Sequence, residues 1–202
     1  MKVIILAAGR GSRLGERTKD RPKCMVEICG KTILERCISS LEEAGIHRED
    51  IAIVTGYRKD LIRVSGVHYF HNKNWEQTNM FLSMMEAKEW LKAEPCLVCY
   101  SDVIFSAHAI KSLAASDAPL AVTYYTGFWE LWQMRMEDPL SDLETFKIDS
   151  QNMLLEIGKK PHAKEDIMGQ YMGLIRFTPT SFDWVLKAIE QPLPKPLAKL
   201  DM

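Results

Sequence analysis

The chain has 202 residues and a formal net charge of -1, with 26% charged and 47% hydrophobic residues. That length suits one domain with a substantial core, and the balanced charge supplies no basic face for a nucleic acid. No apolar run approaches the ~20 residues needed to cross a bilayer, so no membrane-embedded segment is expected.

Val3 to Ala8 is a continuous apolar run, the pattern of a central parallel strand covered on both faces. It breaks at Gly9-Arg10, too early for a signal-peptide core, so a buried strand in a cytoplasmic protein is expected. Thr32 to Ala44 carries Ile33, Leu34, Cys37, Ile38 and Leu41 at helical spacing, and Gly45 is the stop signal. Strands are expected at Ile51 to Thr55 and Val67 to His71. Thr78 then caps one helix bearing Met80, Phe81, Met84, Met85, Ala87 and Leu91. Pro95 to Tyr100 reads as a strand ending on Ser101-Asp102, Ala107 to Ala115 as a short helix, and Leu120 to Tyr125 as a strand. Thr145 to Ile157 reads as two strands joined at Ser150-Gln151-Asn152, Tyr171 to Phe177 as a strand, and Ser181 to Glu190 as a final helix.

This alternation implies an α/β fold: a Rossmann-like, mostly parallel sheet with helices on both faces and right-handed crossovers. The hairpin-rich later part reads as an insertion. Ligands of such sheets sit beyond the carboxyl ends of the strands. Both the Gly9-Arg10-Gly11 turn and Asp102 fall there.

Three readings compete for the turn. A dinucleotide fingerprint has Gly9 and Gly11, but Leu14 stands where the third glycine belongs. A Walker A loop ending Gly30-Lys31-Thr32 fails because Met25 occupies the position of its first glycine. The third keeps all the parts. Small residues at Ala7, Ala8, Gly9 and Gly11 let a base and a triphosphate approach the backbone. Arg13 adds a planar cationic fork, and Lys23, behind Pro22, a compact charge. Five cysteines, Cys24, Cys29, Cys37, Cys96 and Cys99, form an odd set with no second C-x-x-C pair. Without a secretory signal they read as reduced, and Cys96 and Cys99, inside an apolar strand, as small buried residues.

Leu6 to Leu14 (L-A-A-G-R-G-S-R-L), Thr18 to Lys23 (T-K-D-R-P-K) and Gly30 to Arg36 (G-K-T-I-L-E-R) stand in order. Together they resemble the signature of the sugar-phosphate nucleotidyltransferase superfamily. More narrowly, three stretches resemble bacterial CTP:phosphocholine and aminophosphonate cytidylyltransferases: Asn74 to Asn79, Trp129 to Asp142, and Gly169 to Gly173. The resemblance implies a GT-A-like fold with a nucleotide-binding core at 1–118 and an acceptor-binding region at 119–177. It also implies Mg²⁺-dependent transfer of CMP from CTP to a phosphocholine- or 2-aminoethylphosphonate-like acceptor, with release of pyrophosphate.

Residue by residue, it implies nucleotide contacts from Leu6, Ala7, Ala8, Gly9, Gly11, Ser12, Arg13, Lys23, Thr78 and Asn79. Arg13 faces the leaving pyrophosphate and Lys23 the α-phosphate. Solvated surface cations are the plain alternative for both. Asp102, at Tyr100-Ser101-Asp102, stands as the Mg²⁺ ligand, against a simple turn former. Trp129, Trp132, Asp142, Lys160 and Tyr171 stand on the acceptor side, with Lys159 the alternative to Lys160. The rings hold a quaternary ammonium by cation–π contact, or acids beside them hold a primary one; for each ring singly, a core role competes. Two other functions stay open: a sugar-1-phosphate nucleotidyltransferase, and a nucleotide-binding module with little turnover. The second is raised because the resemblance implies a further helix, strand and metal-binding carboxylate that the 202 residues do not show; Asp201 does not match it. The apolar sheet edge that such a missing end exposes would promote association, so a homo-oligomer is one assembly state left open.

Overall fold

In a computed structural model, residues 1–192 and 196–199 are described; the expected start of an element at Leu200-Asp201-Met202 lies outside them. The chain forms β1 (Lys2–Ala7), β2 (Glu27–Ile28), β3 (Lys31–Thr32), α1 (Ile33–Glu43), β4 (Ile51–Thr55), β5 (His68–His71), α2 (Met80–Met85) and α3 (Lys88–Ala93). It continues with β6 (Cys96–Tyr100), α4 (Ala107–Ala114), β7 (Leu120–Tyr125), α5 (Phe128–Gln133), β8 (Phe146–Ile148), β9 (Leu154–Ile157), β10 (Gln170–Phe177) and α6 (Pro179–Glu190). It divides into two compact units, one of Met1–Ala121 with the chain from Gly173 onward, the other of Val122–Met172.

The six-stranded sheet has the order β5-β4-β1-β6-β10-β7. β1 pairs in parallel with both β4 and β6, β4 pairs in parallel with β5, and β10 runs antiparallel to β6. The chain leaves β1 toward β4 on one side and returns to β6 on the other. That reversal opens a crevice at the carboxyl ends of β1 and β6. Leu6 pairs with Tyr100, and Ser101 N–H donates to Leu6 O at 3.3 Å, so the loops after the two strands start side by side.

Alternation along β1 decides which faces it covers. Val3, Ile5 and Ala7 join a core with Leu34, Cys37, Ile38 and Leu41 of α1 and Ile110 and Leu113 of α4. Ile4 and Leu6 point the other way and are equally buried. α1 starts where the sequence places it: Thr32 Oγ1 accepts from Glu35 N–H, and the Glu35 carboxylate accepts from Thr32 N–H. Such a cap contributes about 1 kcal/mol. The helix ends as Gly45 turns left-handed (φ 91°) and Ile46 N–H reaches Leu41 O.

Two elements differ from expectation. The single helix expected after Thr78 is two six-residue helices, α2 and α3. Glu86 and Ala87 N–H bond Ser83 and Met84 carbonyls, tightening the turn, and Ala87 leaves helical geometry (φ -104°, ψ 19°). The break keeps Met84, Ala87 and Leu91 all buried. α5 falls in a stretch read only for its tryptophans and acids.

Candidate active site

Leu6, Ala8, Gly9, Gly11, Ser12 and Arg13 line a cleft of about 320 Å³ at the carboxyl end of β1. Lys23, Tyr100, Ser101 and Asp102 close it from the next turn and from β6, and Met80 and Ser83 of α2 form a further wall. A larger hollow of about 490 Å³ lies over Glu16 to Glu27. Four of its charges pair with each other, Lys19 with Glu16 and Arg21 with Asp20.

The turn is held from below. The fully buried Thr18 places its hydroxyl 3.0 Å from Gly11 O and 3.3 Å from Gly15 O. Leu14 N–H donates to Gly11 O at 3.0 Å, and Tyr57 N–H to Ala8 O at 2.9 Å. The first residue of T-x-x-x-P-K therefore anchors the loop that the motif's lysine faces. Gly11 stands at φ 77°, and a Cβ there would meet the Lys23 Cβ at 2.6 Å. Its missing side chain is thus filled by the lysine stem. Arg36 of the third motif donates to the carbonyls of Ile28 and Cys29, pinning the β2–β3 hairpin.

Lys23 Nζ donates to Asp102 Oδ2 at 2.5 Å, with the two side chains 36% and 32% exposed. Arg13 is exposed on the cleft and makes no ion pair with another described residue. Beneath them the thiols are inert. Burial pushes the Cys24 thiol up to about 12. Cys37 is also held well above the usual range, first by its contact with Cys99 at 4.0 Å and then by burial.

Of the residues expected to meet nucleotide, Leu6, Ala8, Gly9, Gly11, Ser12, Arg13 and Lys23 come together here with Asp102. Ala7 is 2% exposed and packs in the core. Thr78 is engaged elsewhere: its hydroxyl accepts from Asn72 Nδ2 at 2.7 Å and donates to Asn74 O at 3.0 Å. Asn79 caps α2 through Leu82 N–H and donates to Leu197 O. Met80 and Ser83, which line the cleft, escaped sequence reasoning; the helix cap just before them is the signal that could have found them.

The acceptor-side residues all lie in Val122–Met172. Trp129 and Trp132 pack on a small core of Phe128, Leu143 and Ile167. Each ring also carries a cation of the chain itself, Lys164 at 4.9 Å from Trp129 and Arg135 at 4.9 Å from Trp132. Trp132 Nε1–H donates to Asp142 Oδ2 at 2.9 Å, and Lys160 Nζ to Leu140 O at 2.5 Å. Lys159 pairs with Glu156, and Tyr171 is half-buried on β10. Lys147, then the N–H groups of His162 and Ala163, hold Asp166 down at about 2.

A strand-order reversal is where ligands of open α/β sheets bind, and here a glycine turn, two cations and a strand-end aspartate line it. The fold agrees over 100% of this chain and 79% of a putative glucose-1-phosphate thymidylyltransferase from Bacillus anthracis, with a TM-score of 0.75 at 19% identity. The chain belongs to the family described as the MobA-like NTP transferase domain, whose model matches residues 3–157. It is a nucleotidyltransferase by that membership. Among relatives, it is 35% identical over 188 residues to the CTP:phosphoglutamine cytidylyltransferase of Campylobacter jejuni, covering 88% of this chain and 73% of that protein. It is 40% identical over 95 residues to the choline-phosphate cytidylyltransferase of Streptococcus pneumoniae, covering 45% of this chain and 41% of that one. No helix among the described residues is long and apolar enough to cross a membrane.

Proposed function

We propose that the protein transfers CMP from CTP to a small phosphate- or phosphonate-bearing acceptor with a primary amine, releasing pyrophosphate. The observation that carries this is the meeting of Lys23, Arg13 and Asp102 in one cleft beside the glycine turn. An acceptor oxygen attacks the α-phosphorus, a new P–O bond forms, and the bond to pyrophosphate breaks. Both reactants are anions, so the protein's task is to supply positive charge and alignment. Lys23 meets the α-phosphate and Arg13 the departing pyrophosphate.

Mg²⁺ is commonly held by one or two carboxylates together with substrate phosphates. The single half-exposed Asp102 at the cleft suits that arrangement, and no group of three or more His, Cys, Asp or Glu among the described residues forms a cage of its own. When bound there, the ion would neutralise phosphate charge. In the ligand-free chain Asp102 instead neutralises Lys23. The contact gives way when nucleotide arrives, freeing the ammonium for phosphate.

We assign acceptor recognition to residues 122–172. Cation–π caging of a trimethylammonium needs free ring faces. The occupied faces of Trp129 and Trp132 favour instead an ammonium read by the Asp142 carboxylate, which Trp132 orients. Lys160 is the cation assigned to the acceptor phosphate. Pyrophosphate release across a panel of nucleotides and acceptors tests the reading. CTP with 2-aminoethylphosphonate or phosphoglutamine should exceed CTP with phosphocholine, and all should exceed any hexose 1-phosphate. Preference for a hexose phosphate, or CTP binding without turnover, would overturn it.

A further inference from the structure

We propose that Gly173 is a positioning residue of the cleft, acting through the ring of Tyr100. β10 pairs Leu174 with Cys99, so Gly173 falls one step on, opposite the end of β6. It stands at φ 70°, a left-handed backbone inside a strand. A Cβ there would lie 2.7 Å from Tyr100 Cδ2, 2.9 Å from Cγ and 3.2 Å from Cβ. The ring therefore rests on the bare backbone of Gly173. On its other side Tyr100 pairs with Leu6 of β1, and both residues line the cleft. Asp102 follows two residues later.

This is the same device as at the opposite wall. Gly11, also left-handed, leaves room for the stem of Lys23, as Gly173 leaves room for the ring of Tyr100. A side chain at 173 meets two penalties: the backbone conformation disfavours a β-carbon, and the ring cannot stay where it is. The overlap falls on the ring's root as well as its edge, so a rotation about the end of a flexible chain does not relieve it. The Tyr100 wall must move, and with it the shape of the cleft beside Asp102.

The inference rests on reading the cleft as the nucleotide site, and the test separates the two. Crystal structures of Gly173→Ala and of the double variant Gly173→Ala/Tyr100→Ala, both ligand-free, are compared with CTP binding by calorimetry. The single variant should show the Tyr100 ring displaced and CTP affinity lowered roughly tenfold, the scale of one lost contact. The KM for CTP should rise more than kcat falls. Removing the ring in the double variant should recover part of the affinity, which a merely structural role for Gly173 would not produce. A ring that stays in place, or affinity equal to that of the unaltered protein, overturns the inference. So does a loss that the second substitution does not relieve. If the unaltered protein does not bind CTP, the nucleotide reading falls, while ring displacement still decides the role of Gly173. Should the single variant not fold, a double variant that folds supports the overlap; if neither folds, Tyr100→Ala alone should lower CTP affinity, and unchanged affinity contradicts the role of the ring.

Discussion

The two compact units use their polar residues in different ways. Around the cleft of the first, signature residues point at a common space: Lys23 and Asp102 face each other, and Arg13 is exposed beside them. In residues 122–172 the expected acceptor residues are largely engaged with other groups of the same unit. Trp132 holds Asp142, Arg135 covers Trp132, Lys164 covers Trp129, and Lys160 reaches Leu140. A cleft whose lysine and aspartate are paired only with each other among the described residues is poised to exchange that partner for a ligand. A web of internal contacts first holds a shape, and the acceptor role proposed for Asp142 is to be exercised within that web.

The largest expected effect belongs to the cleft. Lys23→Ala should lower kcat by about 10²–10³, the usual scale for one charge-stabilising donor, with circular dichroism and melting temperature little changed. Turnover near the unaltered rate would remove Lys23 from the chemistry. A subtler substitution addresses the ion pair itself. In Asp102→Asn, CTP binding measured by calorimetry in chelator should tighten about threefold to fivefold, because a half-exposed pair is worth up to ~1 kcal/mol. Turnover with Mg²⁺ should fall in the same variant. Weaker metal-free binding would mean that Asp102 does not mask Lys23.

For the second unit, Trp132→Phe removes one hydrogen bond to Asp142 and should raise the acceptor KM severalfold, in line with ~1 kcal/mol, leaving the KM for CTP unaltered. A variant with both constants unchanged would make the Trp132–Asp142 contact purely structural. The smallest effect is electrostatic. Asp166 is lowered from 3.8 to about 2 in the folded chain, chiefly by Lys147. A carboxylate with a depressed folded value contributes stability that is full above its unfolded value and lost as pH falls through the folded one. Thermal melts should therefore lose this contribution between about pH 4 and pH 2, and Asp166→Asn should flatten that part of the profile. Parallel profiles for the two proteins would contradict the assignment.

Much of the cleft could be read directly from the chain. A continuous apolar run, a glycine turn and an aspartate at a strand end are local signals, and the loop and Asp102 meet because parallel strands of one sheet end together. The rest depended on contacts distant in sequence. Gly11 is explained by the stem of Lys23 and Gly173 by the ring of Tyr100; neither neighbour is adjacent in the chain. Thr78 and Asn79 carry chemistry suited both to ligands and to helix ends, and local hydrogen bonding won. The break at Ala87 was hidden because the apolar spacing continues across it. α5 was hidden because Trp129 and Trp132 suit ligand recognition as well as packing, although Phe128, Leu131 and Trp132 already stand at helical spacing.

The most direct measurement is a crystal structure of the protein with Mg²⁺ and a non-hydrolysable CTP analogue. The phosphate tail should lie within hydrogen-bonding distance of Lys23 and Arg13, with the Lys23 ammonium drawn away from Asp102. A nucleotide bound elsewhere, or one seated in the cleft with Lys23 still closed on Asp102, would contradict the account.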